Sequence, residues 1–339
     1  MSVLIVGAGS AALHHAFACQ ELGLNYTVAV REGTQKEDFL SRFVGRYFQA
    51  PKTAFISTQD DWSGVSFDVA IVATPPATHS ELLIRLSNSN FKVIYVEKPL
   101  ATSPSIVTRT VFSGIKLFTG SQMVLSSSFA EFLRLSLPLM SRESTTLEVN
   151  YREPLTGPAT AHSWNPEFTD GWITDEEGGG VLSEYSHALF WAGLVMKNKG
   201  LTLPSIQAKV YSTALNKNSR TSLDHVEMSF LPSEGVEGRI TQSWRSNLTQ
   251  KNLSIVCLGS GDSLHLEVST DLHLLTLFDL DGKIQFQQAF NSNRQNDANR
   301  LMTHLIRIAE VPSTESPLSL EIALWVDASI AQVREIAFR

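Results

Sequence analysis

Only two cysteines, Cys19 and Cys257, stand in a chain of 339 residues. They lie too far apart to suggest a disulfide framework or a zinc site, which fits a reducing compartment. Runs of lysine or arginine are also missing. The 27 basic residues are outweighed by 34 acidic ones, a formal net charge of −7, and this argues against nucleic acid as a partner. No apolar run is long enough to cross a bilayer, so no membrane is expected. A strand-like segment begins straight after Met1, so the expectation is a cytoplasmic chain without a signal peptide. The acidic cluster Asp175-Glu176-Glu177 has no His or Cys at ligand spacing; a solvated turn is expected there, and no metal. Neither an internal repeat nor a low-complexity linker interrupts the sequence. What is present is 43% apolar and 18% charged residues, a soluble globular composition with length enough for two domains.

The first motif follows a buried-strand signal. Val3-Leu4-Ile5-Val6 is a short apolar run of the kind found in parallel sheets. Gly7-Ala8-Gly9-Ser10-Ala11-Ala12 comes next, then a helical pattern through about Leu22. This is G-x-G-x-x-A between a strand and a helix. Gly7 permits the tight turn, Gly9 lets backbone approach a pyrophosphate, and Ala12 allows close helix–strand packing. Ser10 and Ala11 open the helix whose N-terminus would face the phosphates. The opposing reading is a glycine-rich turn of an unrelated α/β domain. The second strand, Tyr26 to Val30, ends in Arg31-Glu32. Arg31 suits a 2′-phosphate and Glu32 a ribose diol. The reading favours NADP over NAD, against the alternative that Arg31 stacks on adenine or is solvated.

Helical spacing returns from Lys36 to Val44. After the strand Asp68–Ala73 comes Thr74-Pro75-Pro76-Ala77-Thr78-His79. Two prolines end a central strand, so Thr74 and Pro75 mark its carboxyl end, where ligands of open α/β sheets sit. Thr78 is placed to cap the next helix, Ser80 to Ser87. His79 is then either a surface histidine at a helix start or a cofactor contact. The strand Val93-Ile94-Tyr95-Val96 runs into Glu97-Lys98-Pro99-Leu100. A lysine at that edge lies in the cofactor crevice, with Glu97 placed to orient it by a charge-assisted hydrogen bond. Pro99 allows a cis bond, and the sequence leaves the isomer open. The bland reading of Glu97-Lys98 is a solvated ion pair.

The fourth motif is Gly178-Gly179-Gly180-Val181-Leu182-Ser183-Glu184-Tyr185-Ser186-His187. Three consecutive glycines are costly to order, and close approach of backbone to a ligand or to a second backbone would offset the cost. Glu184 and His187 share one face if the segment is a single helix. They are either an acid/base pair or a structural pair behind a hinge.

The four segments together resemble the Gfo/Idh/MocA family of NAD(P)-dependent oxidoreductases. They occur in the family's order, and the similarity extends loosely to the C-terminus. The resemblance implies an N-terminal Rossmann domain, a doubly wound α/β parallel sheet over residues 1–120. It implies an α+β domain over 121–339 with a large, open, mostly antiparallel sheet. That sheet would make a homo-oligomer, a dimer or a tetramer. Lys98 then corresponds to the family's lysine and His187 to its histidine, which flank the substrate carbon in family members. Three departures stand out. Ser183 occupies the position of a common aspartate, and Glu184 takes over in a branch linked to surface-polysaccharide or unusual-sugar synthesis. The segment Gly120–Ser128 lacks the usual arginine. Arg31 holds the cofactor-selecting position.

From Thr145 the pattern changes. Leu147, Val149 and Tyr151 alternate with Glu148, Asn150 and Arg152, as in a half-buried strand. Seven further strand-like segments lie between Ile206 and Phe290, separated by turn signals, which predicts an antiparallel sheet. Between them a helix is expected from Val181 to Met196. Two closing helices follow, about Asp297 to Glu310 and Leu318 to Ala337, the last of them placed to pack on the first domain. The loop Pro154–Gly171 and its surroundings offer Trp164, Asn165 and Trp172 as sugar ligands, with Tyr185 beside them; ordinary loop packing is the alternative. The expected activity is hydride transfer between a nicotinamide and a sugar, nucleotide-sugar or related polyol carbon. His187 serves as general base or acid, Lys98 stabilises the developing alkoxide, and Glu184 orients His187. The competing readings are a cofactor-binding sensor that catalyses nothing and a reductase of a non-sugar C=O or C=N.

Overall fold

Strands buried on both faces must be apolar throughout, and the short runs near the N-terminus meet that condition. β1 (Ser2–Val6) and the later runs Val69–Val72 and Val93–Val96 bury nearly every side chain. In chain order after β1 come α1 (Ser10–Glu21), β2 (Asn25–Val30), α2 (Gln35–Tyr47), β3 (Ala54–Ser57), β4 (Val69–Val72), α3 (His79–Ser87), β5 (Val93–Val96) and β6 (Lys116–Thr119). The six strands form one parallel sheet in the order β3-β2-β1-β4-β5-β6. Strand order reverses between β1 and β4, which makes a crevice at their carboxyl ends. Because all six run the same way, Gly7, Arg31, Thr74, Lys98 and Gly120 fall along one edge. The edge strand β3 is four residues long, too short for its pattern to show in the sequence.

The structure is a computed structural model that describes residues 1–31, 35–60, 62, 66–100, 114–141, 144–154, 180–211, 223–230 and 235–337. The chain divides into two units: Met1–Gln122 with Arg294–Leu320, and Met123–Asn293 with Glu321–Arg339. The segment returning to the first unit carries the penultimate helix, not the last one expected from the sequence. In that helix (Arg294–Glu310), Gln295 bonds His14, and Met302 lies against Cys19 on α1. The last helix (Leu320–Ala337) is held within the second unit. Trp325 Nε1 donates to Pro204 O, Gln332 Nε2 to Ile206 O, and Arg334 to Ser183 Oγ.

The second unit opens with α4 (Ser127–Met140), a helix the sequence reading leaves out. Ser126 caps it by accepting from Phe129 N, and Phe129, Phe132, Ser136, Leu139 and Met140 make its buried stripe. Next come β7 (Thr145–Pro154), α5 (Gly180–Glu184), α6 (His187–Asn198) and β8 (Gln207–Tyr211). The remaining strands are β9 (His225–Phe230), β10 (Val236–Ser243), β11 (Arg245–Cys257), β12 (Ser263–Val268), β13 (Leu272–Phe278) and β14 (Ile284–Asn291). The sheet order is β14-β13-β12-β11-β7-β10-β9-β8. The sheet is mostly antiparallel, as expected, with one parallel pair, β7 with β10. The reason lies in the connectivity: the helical segment and a hairpin intervene between them, so β10 re-enters beside β7 in the same direction.

Register explains the core. Ala208, Met228, Ile240, Val149, Leu253, Leu266 and Leu275 pair in turn across seven strands, so one apolar row faces the helices. The helices also pack closely on each other: a Cβ added to Gly193 of α6 would lie 2.9 Å from Ile322 in the last helix. On the sheet, Gly238 pairs with Phe230, whose ring covers the glycine; an added Cβ would stand 1.6 Å from Phe230 Cζ. Gly238→Ala therefore displaces a buried ring, and we expect a loss of about 1–3 kcal/mol of stability, read from the midpoint of urea unfolding. An unchanged midpoint would refute this packing account.

Candidate active site

The dinucleotide loop is built as its glycines require. Gly7 has φ +119°, and a Cβ there would stand 2.5 Å from Ala73 O and 3.1 Å from Thr74 Cγ2. Only glycine fits where β1 meets the end of β4. Gly9 is the N-cap of α1 and supplies no side-chain cap, so the first-turn N–H groups, beginning with Ser10 and Ala11, are left for another acceptor. Ala12 is fully buried against the sheet. This cradle fits a dinucleotide pyrophosphate. Two arginines that the sequence reading passes over come from α2. Arg42 NH2 donates to Ala8 O at 2.5 Å, and Arg46 NH1 reaches Ser10 Oγ at 3.3 Å. Their spacing of four on an amphipathic helix is the signal that could have shown them. Arg31 follows β2 with an exposed side chain, and its backbone N–H donates to Gln35 Oε1 at 2.8 Å. Glu32 lies outside the described residues.

His79 is neither a surface histidine nor placed as a cofactor ligand. It is fully buried, with Nδ1 2.9 Å from Pro99 O and Nε2 2.8 Å from Thr74 O. It staples the loop after β4 to the loop after β5, the two loops that bear Pro75 and Lys98. Burial lowers its pKa, against the pull of the carbonyl oxygens. Thr78 occupies the N-cap position of α3 without capping it. Its hydroxyl instead donates back to Pro75 O at 2.8 Å and lies 2.7 Å from the Thr74 hydroxyl.

Glu97 has partners beyond the Lys98 expected from the sequence. Its Oε1 accepts from His15 Nε2 at 2.7 Å and from Gln122 Nε2 at 2.8 Å. The carboxylate thus ties β5 to α1 and to the segment after β6. Burial would raise its pKa, but the His15 hydrogen bond and the charges of His15, Lys98 and Arg294 hold it down at about 2. The Lys98–Pro99 bond is cis.

The fourth motif is two helices rather than one. α5 ends at Glu184 and α6 begins at His187, with Tyr185-Ser186 as the break. The glycine run meets a second backbone: Gly180 has φ +53°, and a Cβ on it would stand 2.3 Å from Leu223 O. Gly178, Gly179, Trp164, Asn165 and Trp172 lie outside the described residues. His187 stacks on Tyr151, ring centroids 5.6 Å apart and planes at 17°. Tyr185, expected above as a substrate ligand, is buried and donates its hydroxyl to Glu153 Oε2 at 3.0 Å. Lys251 pairs with the same carboxylate and lies over the Tyr151 ring. Burial would lower the Lys251 pKa, but Tyr151 and Glu153 raise it above its ordinary value. This cluster of Tyr151, Glu153, Tyr185 and Lys251 beside His187 escapes a sequence reading because β7 and β11 meet only in the fold. Ser183 is buried and accepts from Arg334.

A Gly-rich cradle at a sheet switch point defines a dinucleotide-binding domain, with Lys98 on the same edge. Residues 1–111 match the family described as the Gfo/Idh/MocA oxidoreductase family, NAD-binding Rossmann fold. The match covers 111 of the 339 residues and identifies the N-terminal part of the chain as an NAD-binding Rossmann domain of that family's type. No curated protein matches it in a sequence search. Solved structures share the whole fold at low identity. The aldose–aldose oxidoreductase of Caulobacter crescentus is 15% identical with a TM-score of 0.71, covering 99% of this chain and 97% of that one. The 3-ketoreductase KijD10 of Actinomadura kijaniata is 14% identical with a TM-score of 0.73, covering 99% and 97%. The WlbA dehydrogenase of Bordetella pertussis is 14% identical with a TM-score of 0.67, covering 99% and 96%. Among the described residues no helix is long and apolar enough to cross a membrane.

The histidine beside the cradle sets an acid limit. His14 Nδ1 donates to Gln295 Oε1 at 3.0 Å, and Nε2 accepts from Arg46 at 3.1 Å, so the ring is held neutral. Burial, then Arg294 and Arg46, lower its pKa from 6.5 to about 3. The unfolded state binds this proton first. The stability from neutral His14 is therefore full above pH 6.5 and falls as pH drops toward 3, by about 1.4 kcal/mol per pH unit at most. Urea unfolding across pH 4–6.5 should show His14→Gln flattening that slope by nearly one proton; a slope equal to wild type would sink the assignment.

Proposed function

We propose that this enzyme transfers a hydride between NADP(H) or NAD(H) and a carbon of a sugar, nucleotide-sugar or related polyol. The observation that carries the reading is the cradle around Gly7, which only glycine fits, on the same sheet edge as Lys98. Sugar chemistry is supported by the neighbours. One is an aldose–aldose oxidoreductase, one a 3-ketoreductase bound to TDP-benzene and NADP, and one a dehydrogenase bound to NADH and UDP-GlcNAcA. When bound, the nicotinamide supplies the hydride chemistry, and the protein supplies position and the proton.

In this reading Gly7, Gly9, Ser10, Ala11 and Ala12 receive the pyrophosphate, Thr74 and Pro75 line the crevice, and Arg31 selects the 2′-phosphate, with Glu32 the diol ligand if NAD is used. His79 acts by holding the two edge loops together. Glu97, ionised and fixed by His15, places a negative charge beside the Lys98 ammonium. That ammonium stabilises the developing alkoxide of the substrate. His187 takes the hydroxyl proton in oxidation and returns it in reduction. Glu184 orients His187 from the end of the preceding helix. Trp164, Asn165 and Trp172 remain proposed sugar contacts, while Tyr185 supports the site through Glu153. The protein works in the cytoplasm as a homo-oligomer joined through the eight-stranded sheet.

Lys98→Ala and His187→Ala should each lower kcat by roughly 10²–10⁴-fold while leaving dinucleotide affinity near wild type. Rates near wild type in either variant would refute the assignment. Fluorescence titration with NADP(H) and NAD(H) should show tighter NADP binding that is lost in Arg31→Ala. A preference for NAD that Arg31→Ala does not alter would reverse the cofactor reading.

A further inference from the structure

One end of the eight-stranded sheet holds a cavity of about 300 Å³ lined by Arg152, Tyr211, His225, Ser243, Arg245 and Ser246. Four of these form a single row. Tyr211 pairs with His225, His225 with Ser243, and Ser243 with Arg152, across β8, β9, β10 and β7. Side chains one residue away along a strand point to the other face. Those neighbours serve the helix-packed side: Tyr151 contacts His187 and Trp191, and Gln242 Nε2 donates to Tyr185 O. The cavity therefore opens on the face opposite His187 and is a separate place.

Its chemistry is that of an anion receptor. Arg245 is anchored by a two-point contact to the buried Asp224, Nε to Oδ2 at 3.0 Å and NH2 to Oδ1 at 2.9 Å. Its guanidinium also lies 5.9 Å from the Tyr211 ring centroid. Arg152 is held by a neutral group, donating from NH2 to Asn150 Oδ1 at 2.9 Å, and its buried Nε has no acceptor among the described residues. His225 has Nε2 3.3 Å from Glu227 Oε1, and its buried Nδ1 has no partner among the described residues. Hydroxyls of Ser243 and Tyr211 stand in the same row. Buried polar atoms without partners are rare in folded proteins, and Arg152 Nε is a donor. Two fixed guanidinium forks, an imidazole and hydroxyls match a group with several anionic oxygens. The volume lies at the small end of the range for ligand pockets, roughly 300–1,000 Å³.

We propose that this cavity binds the phosphoryl or carboxylate group of a small molecule, at a site distinct from the hydride-transfer centre. The site does not rest on the proposed reaction, and its test keeps the two apart. Full-length protein is titrated calorimetrically with inorganic phosphate and, separately, with acetate, each against chloride at matched ionic strength. We expect saturable binding of at least one anion above the chloride control. The stronger of the two identifies the group. Arg152→Gln should weaken it by about tenfold or more, and His225→Gln should weaken it too. Arg239→Gln, which alters an arginine on the same sheet face paired with Glu237, should leave it unchanged. All three variants should keep wild-type dinucleotide affinity, a property of the other domain. No saturable binding beyond chloride, or equal binding in wild type, Arg152→Gln and His225→Gln, would overturn the proposal. So would an equal loss in Arg239→Gln.

Discussion

A carboxylate that stays ionised while largely out of water must be fully partnered, and Glu97 is where the first domain meets that constraint. Its partners come from three places: α1 through His15, the segment after β6 through Gln122, and its own strand through Lys98. The glycine-rich loop begins α1, so the carboxylate also fixes the helix whose N-terminus the dinucleotide would meet. His79 works alongside it by tying the Thr74 loop to the Pro99 loop. These two polar groups thus hold α1 and the segments after β4, β5 and β6. Removing one partner from such a network costs more than its hydrogen bond, because the other partner is left buried and unpaired.

The second domain applies the same logic with different residues. Tyr151, Glu153, Tyr185 and Lys251 hold one another beside His187, with one carboxylate serving two donors. The break at Tyr185-Ser186 matters here. It sends Tyr185 inward to Glu153 and starts a new helix at His187. A continuous helix would have placed Glu184 and His187 on one face. The break instead gives them separate helices, and their relation depends on the turn between.

Much of the fold was legible in the sequence, because parallel strands and alternating strands leave different patterns. The buried runs at Val3, Val69 and Val93 became the central strands, and the fingerprint at Gly7 met the backbone it implies. The parallel β7–β10 pair was not legible, since neighbours across a sheet depend on the whole path of the chain. The helix after Ser126 was hidden by its run of serines, whose cap and buried stripe are evident only once the partner sheet is known. At the site, sequence did not show that Glu97 also meets His15 and Gln122, nor that His79 is buried between two loops. Which groups a side chain meets is set by contacts far away in the chain, His15 to Glu97 being 82 residues apart.

β7 shows most directly how one strand can carry two kinds of chemistry. Its odd positions, Val149, Tyr151 and Glu153, face the helices and end in the cluster beside His187. Its even positions, Asn150 and Arg152, face the open side, where Arg152 joins the row with Ser243, His225 and Tyr211. A slip of one residue would exchange the two sets. The register is therefore held from both sides, by the apolar row through Ile240, Val149 and Leu253 and by the Asn150–Asn252 hydrogen bond on the open face. Core packing of the sheet and the composition of each site are, for this strand, a single constraint.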